Sequence, residues 1–405
     1  MISALQTAGR RTALIVRDGA DPQIQVAGLG LFERWHKLLA DCSFDVVEIE
    51  PGDVAQKLAA TEPSDATLIV WSSWVFDPAT LKALLAQLDS ADSESAWILR
   101  LSTTPFDPAP AILVRGGAAR DLATRFPSNT NDSEQLDRWM QTLARDAGVS
   151  TVQIEAGYWN RVPDIRSAKA TKWGLLQRLR WRQGGAVAHY LNRPISIRLS
   201  YFLVETPITP NQTTVVTFLI GVVGIWLMLQ PGGYWGAVFG LALLHINSVF
   251  DGIDGELARL KHLSSSFGAY LDSVCDELLN SALMIAAGYN LTHRPDAIGT
   301  PFLALGTFAG VASWLYASTH WHCKLKHGLG LYWWFEADKP RAHVQASNSA
   351  FSYFKRMFQK DGLLFLFLIA GIVDRMDVFL YLSAVAGLLI LVLLFIHIVI
   401  KRATW

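Results

Sequence analysis

The chain has 405 residues and no net charge; charged residues make up 17% and apolar ones 51%. A balanced chain with no basic tail or Lys/Arg-rich arm excludes a nucleic-acid partner. The averages hide a division, because most charge lies in residues 1 to about 185 and apolar runs of membrane length dominate from about 210 onward.

In the first part, short β-branched runs alternate with helical patterns. Strands are expected at 12–16, 45–49, 66–73 and 96–101, with helices at 31–42 and 78–88, a mostly parallel α/β sheet. Residues 127–134, "PSNTNDSE", form a polar loop that caps the helix after it. Gly28 and Gly30 make a GxG that reads as a turn. The N-terminus offers no apolar stretch long enough for a signal peptide, which keeps this domain in the cytoplasm. Cys42, Cys275 and Cys323 are isolated and form neither a disulfide framework nor a zinc motif.

A linker helix, 165–183, carries Arg166, Lys169, Lys172, Arg178, Arg180 and Arg182 among Trp and Leu, and reads as an amphipathic segment at a headgroup surface. The stretch 189–214 reads as an interfacial helix broken by Pro207 and Pro210. Six spans are expected at about 212–230, 234–257, 268–290, 299–320, 362–373 and 377–399. The connection from His320 to Asp361 carries Lys324, Lys326, Lys339, Arg341, Lys355, Arg356 and Lys360, whereas the opposite turns hold Arg294 and Arg375 alone. That bias places the long loop, the first domain and both termini on the cytoplasmic side of the inner membrane. The domains are then 1–165, a linker and interfacial helix over 166–210, and an all-α six-span domain over 211–405.

Where the second span ends and the third begins, "FDGIDGELARLKHLSSSFGAYLDSVCD" sets four aspartates. Asp251 and Asp254 share one helix face with Gly255, Ala258 and Arg259 close by, and Asp272 and Asp276 share a face of the next helix. The residues between Arg259 and Gly268 let the chain reverse, so the two faces can meet. Clustered carboxylates at membrane depth need compensation, from Arg259 and from one or two divalent ions. Oxygen-only ligands suit Mg²⁺ or Mn²⁺, and paired ions commonly neutralise a diphosphate under displacement.

The spacing Asp251-x2-Asp254-Gly255-x2-Ala258-Arg259-x8-Gly268-x3-Asp272-x3-Asp276 resembles the motif of the CDP-alcohol phosphotransferases at every position. "TPNQTT" (209–214) is similar to that family's segment before its first span. The resemblance covers about residues 185–400. It implies a transferase that splits a CDP-alcohol (CDP-diacylglycerol or CDP-inositol type) at the diphosphate, releases CMP, and passes the phospho-alcohol to an acceptor hydroxyl in phospholipid or polyol-phosphodiester synthesis. By position, Asp251, Asp254 and Asp272 would hold two metal ions, and Asp276 would share the second and act as general base. Asp251, Gly255, Ala258, Arg259 and Gly268 would line the CDP site. A homodimer is the family's usual form.

A soluble domain fused ahead of the spans resembles proteins in which an inositol-phosphate cytidylyltransferase-like domain precedes a di-myo-inositol-phosphate-phosphate-synthase-like membrane domain. Residues about 10–165 look like a sugar nucleotidyltransferase, but the glycine-rich phosphate loop is missing, and "WSSW" replaces the metal-binding aspartate expected after "TLIV". A catalytically silent domain is expected. Lys324, Lys326, Arg341 and Lys360 are the candidate binding residues for a phosphorylated acceptor, inositol phosphate first and glycerol phosphate second. His320, His322 and His327 beside Cys323 match no zinc spacing, and "LYWWF" (331–335) reads as an interfacial anchor. Ion-coupled transport is the rival class for intramembrane carboxylates, yet the inverted repeats and broken helices it predicts are not found.

Overall fold

The computed structural model describes residues 10–18, 21–40, 42–62, 65–86, 96–101, 111–115, 117–127, 138–139, 142–143, 149–154, 158–180, 186–230, 233–294, 301–327 and 360–403. Of these, 83–84, 96–101, 115, 117, 149–154, 320–327, 390, 393–394 and 397–403 are described by backbone alone. The chain divides into two compact units: Met1–Arg178 with Leu260–His262, and Leu179–Arg259 with Leu263–Trp405.

The first unit is built on a six-stranded sheet. Its elements are β1 (Arg11–Val16), the hairpin β2 (Gln25–Val26) and β3 (Leu29–Gly30), α1 (Leu31–Ala40), β4 (Asp45–Ile49), α2 (Val54–Ala59), β5 (Ala66–Trp71), β6 (Trp74–Phe76), α3 (Pro78–Leu85), β7 (Ala96–Leu101), β8 (Ala111–Arg115), α4 (Gly117–Arg125), β9 (Val149–Ile154), β10 (Trp159–Arg161) and α5 (Ile165–Arg180). Strand order is β4-β1-β5-β8-β7-β9, and β8 runs antiparallel to both its neighbours while the other pairs are parallel. Side chains alternate across the strands. Ala13, Ile15, Leu68, Val70 and Leu113 pack against Trp35, Leu38 and Leu39 of α1 and Leu81 of α3. Leu14, Val16, Ile69, Trp71, Ile112 and Val114 pack against Val54 and Leu58 of α2 and Ala119 and Leu122 of α4. The result is a sheet covered on both faces, which is why β1 and β5 read as unbroken apolar runs.

The expected strands and helices at 12–16, 31–42, 45–49, 66–73, 78–88 and 96–101 each correspond to an observed element: 45–49 and 96–101 match to the residue, β1 starts one residue earlier, and the other three end two or three residues sooner. The strands β8 and β9 were not expected. Ala27 and Gly28 take left-handed φ values of 54° and 73°, so the GxG is the turn of the β2–β3 hairpin. The linker helix departs from its expected lipid-surface role on one face: Asn160 Nδ2 donates to Thr171 Oγ1 at 2.7 Å, and Arg178 Nε lies 3.5 Å from Asp77 Oδ2. That face of α5 is docked on the α/β unit, with Ala168, Leu175 and Leu176 buried. Residues 128–134 of the polar loop lie outside the described residues.

The second unit is helical: α6 (Arg193–Leu203), α7 (Pro210–Met228), α8 (Gly233–Leu260), α9 (Ser266–Thr292), α10 (Phe302–His327), α11 (Lys360–Ile372) and α12 (Met376–Ala403). The last six occupy the places of the six expected spans. Among the described residues, three stretches are long and apolar enough to cross a membrane, Pro210–Met228, Gly233–Leu260 and Phe302–Thr319, and Met376–Leu389 is a shorter apolar helix. A buried cluster of Met228, Leu241, Leu244, Leu283, Ala286, Ala287, Phe302, Phe367 and Leu380 ties the helices together. Outward, Val216, Leu219, Trp226, Phe239, Leu388, Leu389 and Phe395 are each more than half exposed, a surface suited to lipid rather than water.

Candidate functional site

"TPNQTT" builds the start of α7. Thr209 is the N-cap, its Oγ1 accepting from Gln212 N while Gln212 Oε1 accepts from Thr209 N at 3.0 Å, and Pro210 fills the first turn where no N–H is needed. The buried face of this helix carries Thr213, Thr214 and Thr217. Across from it, α8 ends in a left-handed residue, His262 (φ 53°), with Leu263 N donating to Ala258 O at 2.8 Å. The chain reverses through the serines, and Ser265 caps α9 by accepting from Gly268 N at 2.9 Å.

This reversal brings the two motif faces together. Ligand oxygens of Asp251, Asp272 and Asp276 lie within 4.8 Å of one another. Asp254 is not one of that triple: it is buried, and its Oδ2 accepts from Thr214 Oγ1 while Oδ1 accepts from Gly255 N. Three of the four motif carboxylates are clustered, and Asp254 is held beside them. The reason is Thr214, a donor from a helix forty residues earlier that the motif does not include.

Charge compensation has a second source besides Arg259. Lys360, at the first residue of α11, forms an ion pair with Asp276 Oδ2. Arg259, expected to be the compensating cation, folds back over Gly255: a β-carbon there would stand 3.0 Å from Arg259 Nη2 and 3.3 Å from Nη1. Glycine at 255 therefore leaves the guanidinium room on the side of Asp254, with which its charge interacts. A β-carbon on Gly268 would stand 2.9 Å from Asn211 Oδ1. Ala258 is half-buried on the same stretch of α8.

Three carboxylates on two helices supply hard, acceptor-only oxygens of the kind that bind Mg²⁺ or Mn²⁺, and they close to a distance one ion can bridge. The donor set fits such an ion. Of the acceptor candidates, Lys360 reaches the cluster. The side chains of Lys324 and Lys326 in α10 lie outside the described residues, as does Arg341, together with His320, His322, His327, Cys323 and residues 331–335. Sequence reasoning did not identify Thr214, nor Glu256, a fully buried carboxylate inside the motif itself. The one sequence signal for Thr214 was the polar spacing of Thr213, Thr214 and Thr217 in an otherwise apolar helix.

In the first unit, "WSSW" has a definite partner. Asp18, just past β1, accepts from Ser72 Oγ at 2.7 Å and Ser73 N at 3.1 Å, and also from Ser73 Oγ. These residues sit past the ends of β1 and β5, the neighbouring strands between which strand order reverses, the usual place for a ligand in such sheets.

The helices and the carboxylate cluster define a membrane-type helical unit with three carboxylates gathered at one place. Residues 207–331 match the family model of CDP-alcohol phosphatidyltransferase. The bifunctional IPC transferase and DIPP synthase of Aquifex aeolicus is 34% identical over 173 residues, which is 42% of this chain and 39% of that protein. The phosphatidylinositol phosphate synthase of Corynebacterium glutamicum is 37% identical over 97 residues, 24% of this chain and 42% of that protein. The chain thus spans about two fifths of the length of these curated relatives. A crystal structure of Mycobacterium tuberculosis phosphatidylinositol phosphate synthase with CDP-DAG bound covers 49% of this chain and 90% of its own at 21% identity and a TM-score of 0.37, too low a likeness to carry any inference.

Proposed function

We propose that the chain is an integral-membrane CDP-alcohol phosphotransferase that moves a phospho-alcohol group from a CDP-alcohol to an acceptor hydroxyl and releases CMP. The observation that carries this reading is the closure of Asp251, Asp272 and Asp276 to within 4.8 Å inside the segment that matches the transferase family. Asp251, Asp254 and Asp272 would hold two Mg²⁺ or Mn²⁺ ions, with Asp276 shared. When bound, such ions neutralise the diphosphate and the charge that develops on the leaving oxygen.

The protein's own groups do the rest. Gly255, Ala258, Arg259 and Gly268 line the donor site, where Arg259 offers its guanidinium to the diphosphate. Asp276 takes the proton of the acceptor hydroxyl as its oxygen bonds to the phosphorus that bears the donor's alcohol. The bond from that phosphorus to the bridging oxygen breaks, and CMP leaves with the electron pair. Lys360 beside Asp276 supports a phosphorylated acceptor, because its ammonium can hold the acceptor's phosphate while the hydroxyl meets the base. Inositol phosphate is the first acceptor by the relatives' names, and glycerol phosphate the second.

The remaining helices complete six spans with the site, the first domain and the C-terminus on the cytoplasmic side, and the spans pair as a homodimer. The first domain is catalytically silent as a nucleotidyltransferase, since the polar groups past β1 and β5 are turned on Asp18. The test is CMP release from membranes given radiolabelled CDP-diacylglycerol or CDP-inositol, Mn²⁺ and a panel of acceptors. Release that depends on one donor and one phosphorylated polyol is expected; no release with any pair would refute the enzyme reading.

A further inference from the structure

Helix α6 is built inside out. It follows a wider helical turn at Ala188–Asn192, buries Asn192, Ser196 and Ser200, and turns Tyr190, Leu191, Ile195 and Phe202 outward. A buried polar stripe beside exposed large apolar side chains is the pattern of a helix with lipid outside it, though Ile197 is buried with the serines. The hidden stripe, spaced by four, lies on an equally spaced stripe of α8. Asn192 Nδ2 donates to Ser248 Oγ at 3.2 Å. One turn on, a β-carbon at Gly252 would stand 3.3 Å from Ser196 Oγ, so the helices approach closely there. At the third level Glu256 accepts from Ser196 Oγ at 2.8 Å, Ser200 Oγ at 2.7 Å and Arg193 Nη1 at 2.8 Å.

Glu256 has no exposed surface, whereas Arg193 keeps 20% of its side chain open. Such a buried pair is a poor source of stability, because well-packed apolar side chains of similar volume often serve as well or better. What it can supply is a single arrangement. On a helix turning about 100° per residue, Ser248, Gly252 and Glu256 lie roughly 130° around from Asp251 and Asp254. A slip of one residue against α6 would swing the aspartates about 100° away from α9. The other side of the cluster is indexed to the same helix, since Ser248 Oγ donates onward to Asp361 Oδ1 at 2.9 Å. Asp361 adjoins Lys360, the partner of Asp276.

We propose that Glu256 is a positioning residue: gripped by Arg193, Ser196 and Ser200 of α6, it fixes the rotation of α8 that brings Asp251 to Asp272 and Asp276. The inference rests on the metal-site reading above. Its test uses the full chain in lipid nanodiscs, with Mn²⁺ binding followed by electron paramagnetic resonance and CMP release followed against acceptor concentration. Glu256→Gln should bind Mn²⁺ at least about tenfold more weakly, the range for loss of a group that orients metal ligands, and Ser200→Ala about threefold more weakly. In Glu256→Gln kcat should fall while the acceptor KM stays within twofold.

The double variant Glu256→Leu with Arg193→Leu removes the pair without stranding a charge. It should keep or raise the thermal midpoint and still bind Mn²⁺ about tenfold more weakly. Wild-type Mn²⁺ affinity in that double variant, once folded, overturns the proposal and leaves Glu256 a packing group. If Glu256→Gln fails to fold, the double variant and Ser200→Ala decide. A wild-type chain that binds Mn²⁺ but releases no CMP from any donor refutes the functional reading, while the affinity comparison still judges Glu256.

Discussion

The two units of this protein handle aspartate in opposite ways. In the α/β unit, Asp18 sits past a strand end at the switch point of the sheet, and both its oxygens are taken by the backbone and hydroxyls of Ser72 and Ser73. In the helical unit, Asp251, Asp272 and Asp276 converge on one another, and the cation given to them by the fold is Lys360 on a single oxygen of Asp276. A carboxylate with its donors supplied is structural; three like charges brought together are arranged for a cation and for chemistry.

That contrast is broken or sharpened by substitution in each unit. The largest effect belongs to the cluster: Asp276→Asn should lower kcat for CMP release by about 10²–10⁴, the range for loss of a general base, at saturating Mn²⁺. Near-normal turnover would remove Asp276 from that role. Next comes Gly255→Ala, whose β-carbon would press on the Arg259 guanidinium at 3.0 Å. Donor-dependent turnover should fall about tenfold through the displaced arginine, with the thermal midpoint unchanged. An unchanged rate would show that Arg259 has no part in holding the donor.

In the first unit the effects should be on stability alone. Asp18→Ala strands the hydroxyls of Ser72 and Ser73 and should cost about 2 kcal/mol in unfolding of that unit, with CMP release untouched. A loss of turnover with the fold intact would give this unit a part in the reaction. The smallest effect is at Glu48, which Arg17 first and His36 second hold below the usual carboxylate range. Because its folded value is the lower one, its contribution is present above the ordinary carboxylate pKa and lost as pH falls through the depressed one. The pair is exposed, so Glu48→Gln should cost under about 1 kcal/mol at neutral pH and nothing in acid, measured by unfolding against pH.

Much of this was legible in the sequence, and the exceptions share a cause. Short β-branched runs marked β1, β4, β5 and β7, and the aspartate spacing marked a shared face on each of two helices, because each depends on residues close in the chain. β8 and β9 escaped notice: "AILVR" follows a proline-rich stretch, and "VSTVQI" alternates with polar residues as an edge strand does. Thr214 on Asp254, Lys360 on Asp276 and the serines of α6 on Glu256 depend on approaches between helices distant in sequence. No local pattern encodes such pairings, so the sequence showed which carboxylates share a face and not what steadies them.

The central claim is that aspartates from α8 and α9 form one divalent-ion site. Mn²⁺ binding to the full chain, read by electron paramagnetic resonance for wild type and Asp272→Asn side by side, tests it most directly. The account predicts saturable binding by the wild type and a loss of about tenfold or more in affinity in the variant. Equal binding by the two proteins, or none by the wild type, would contradict it.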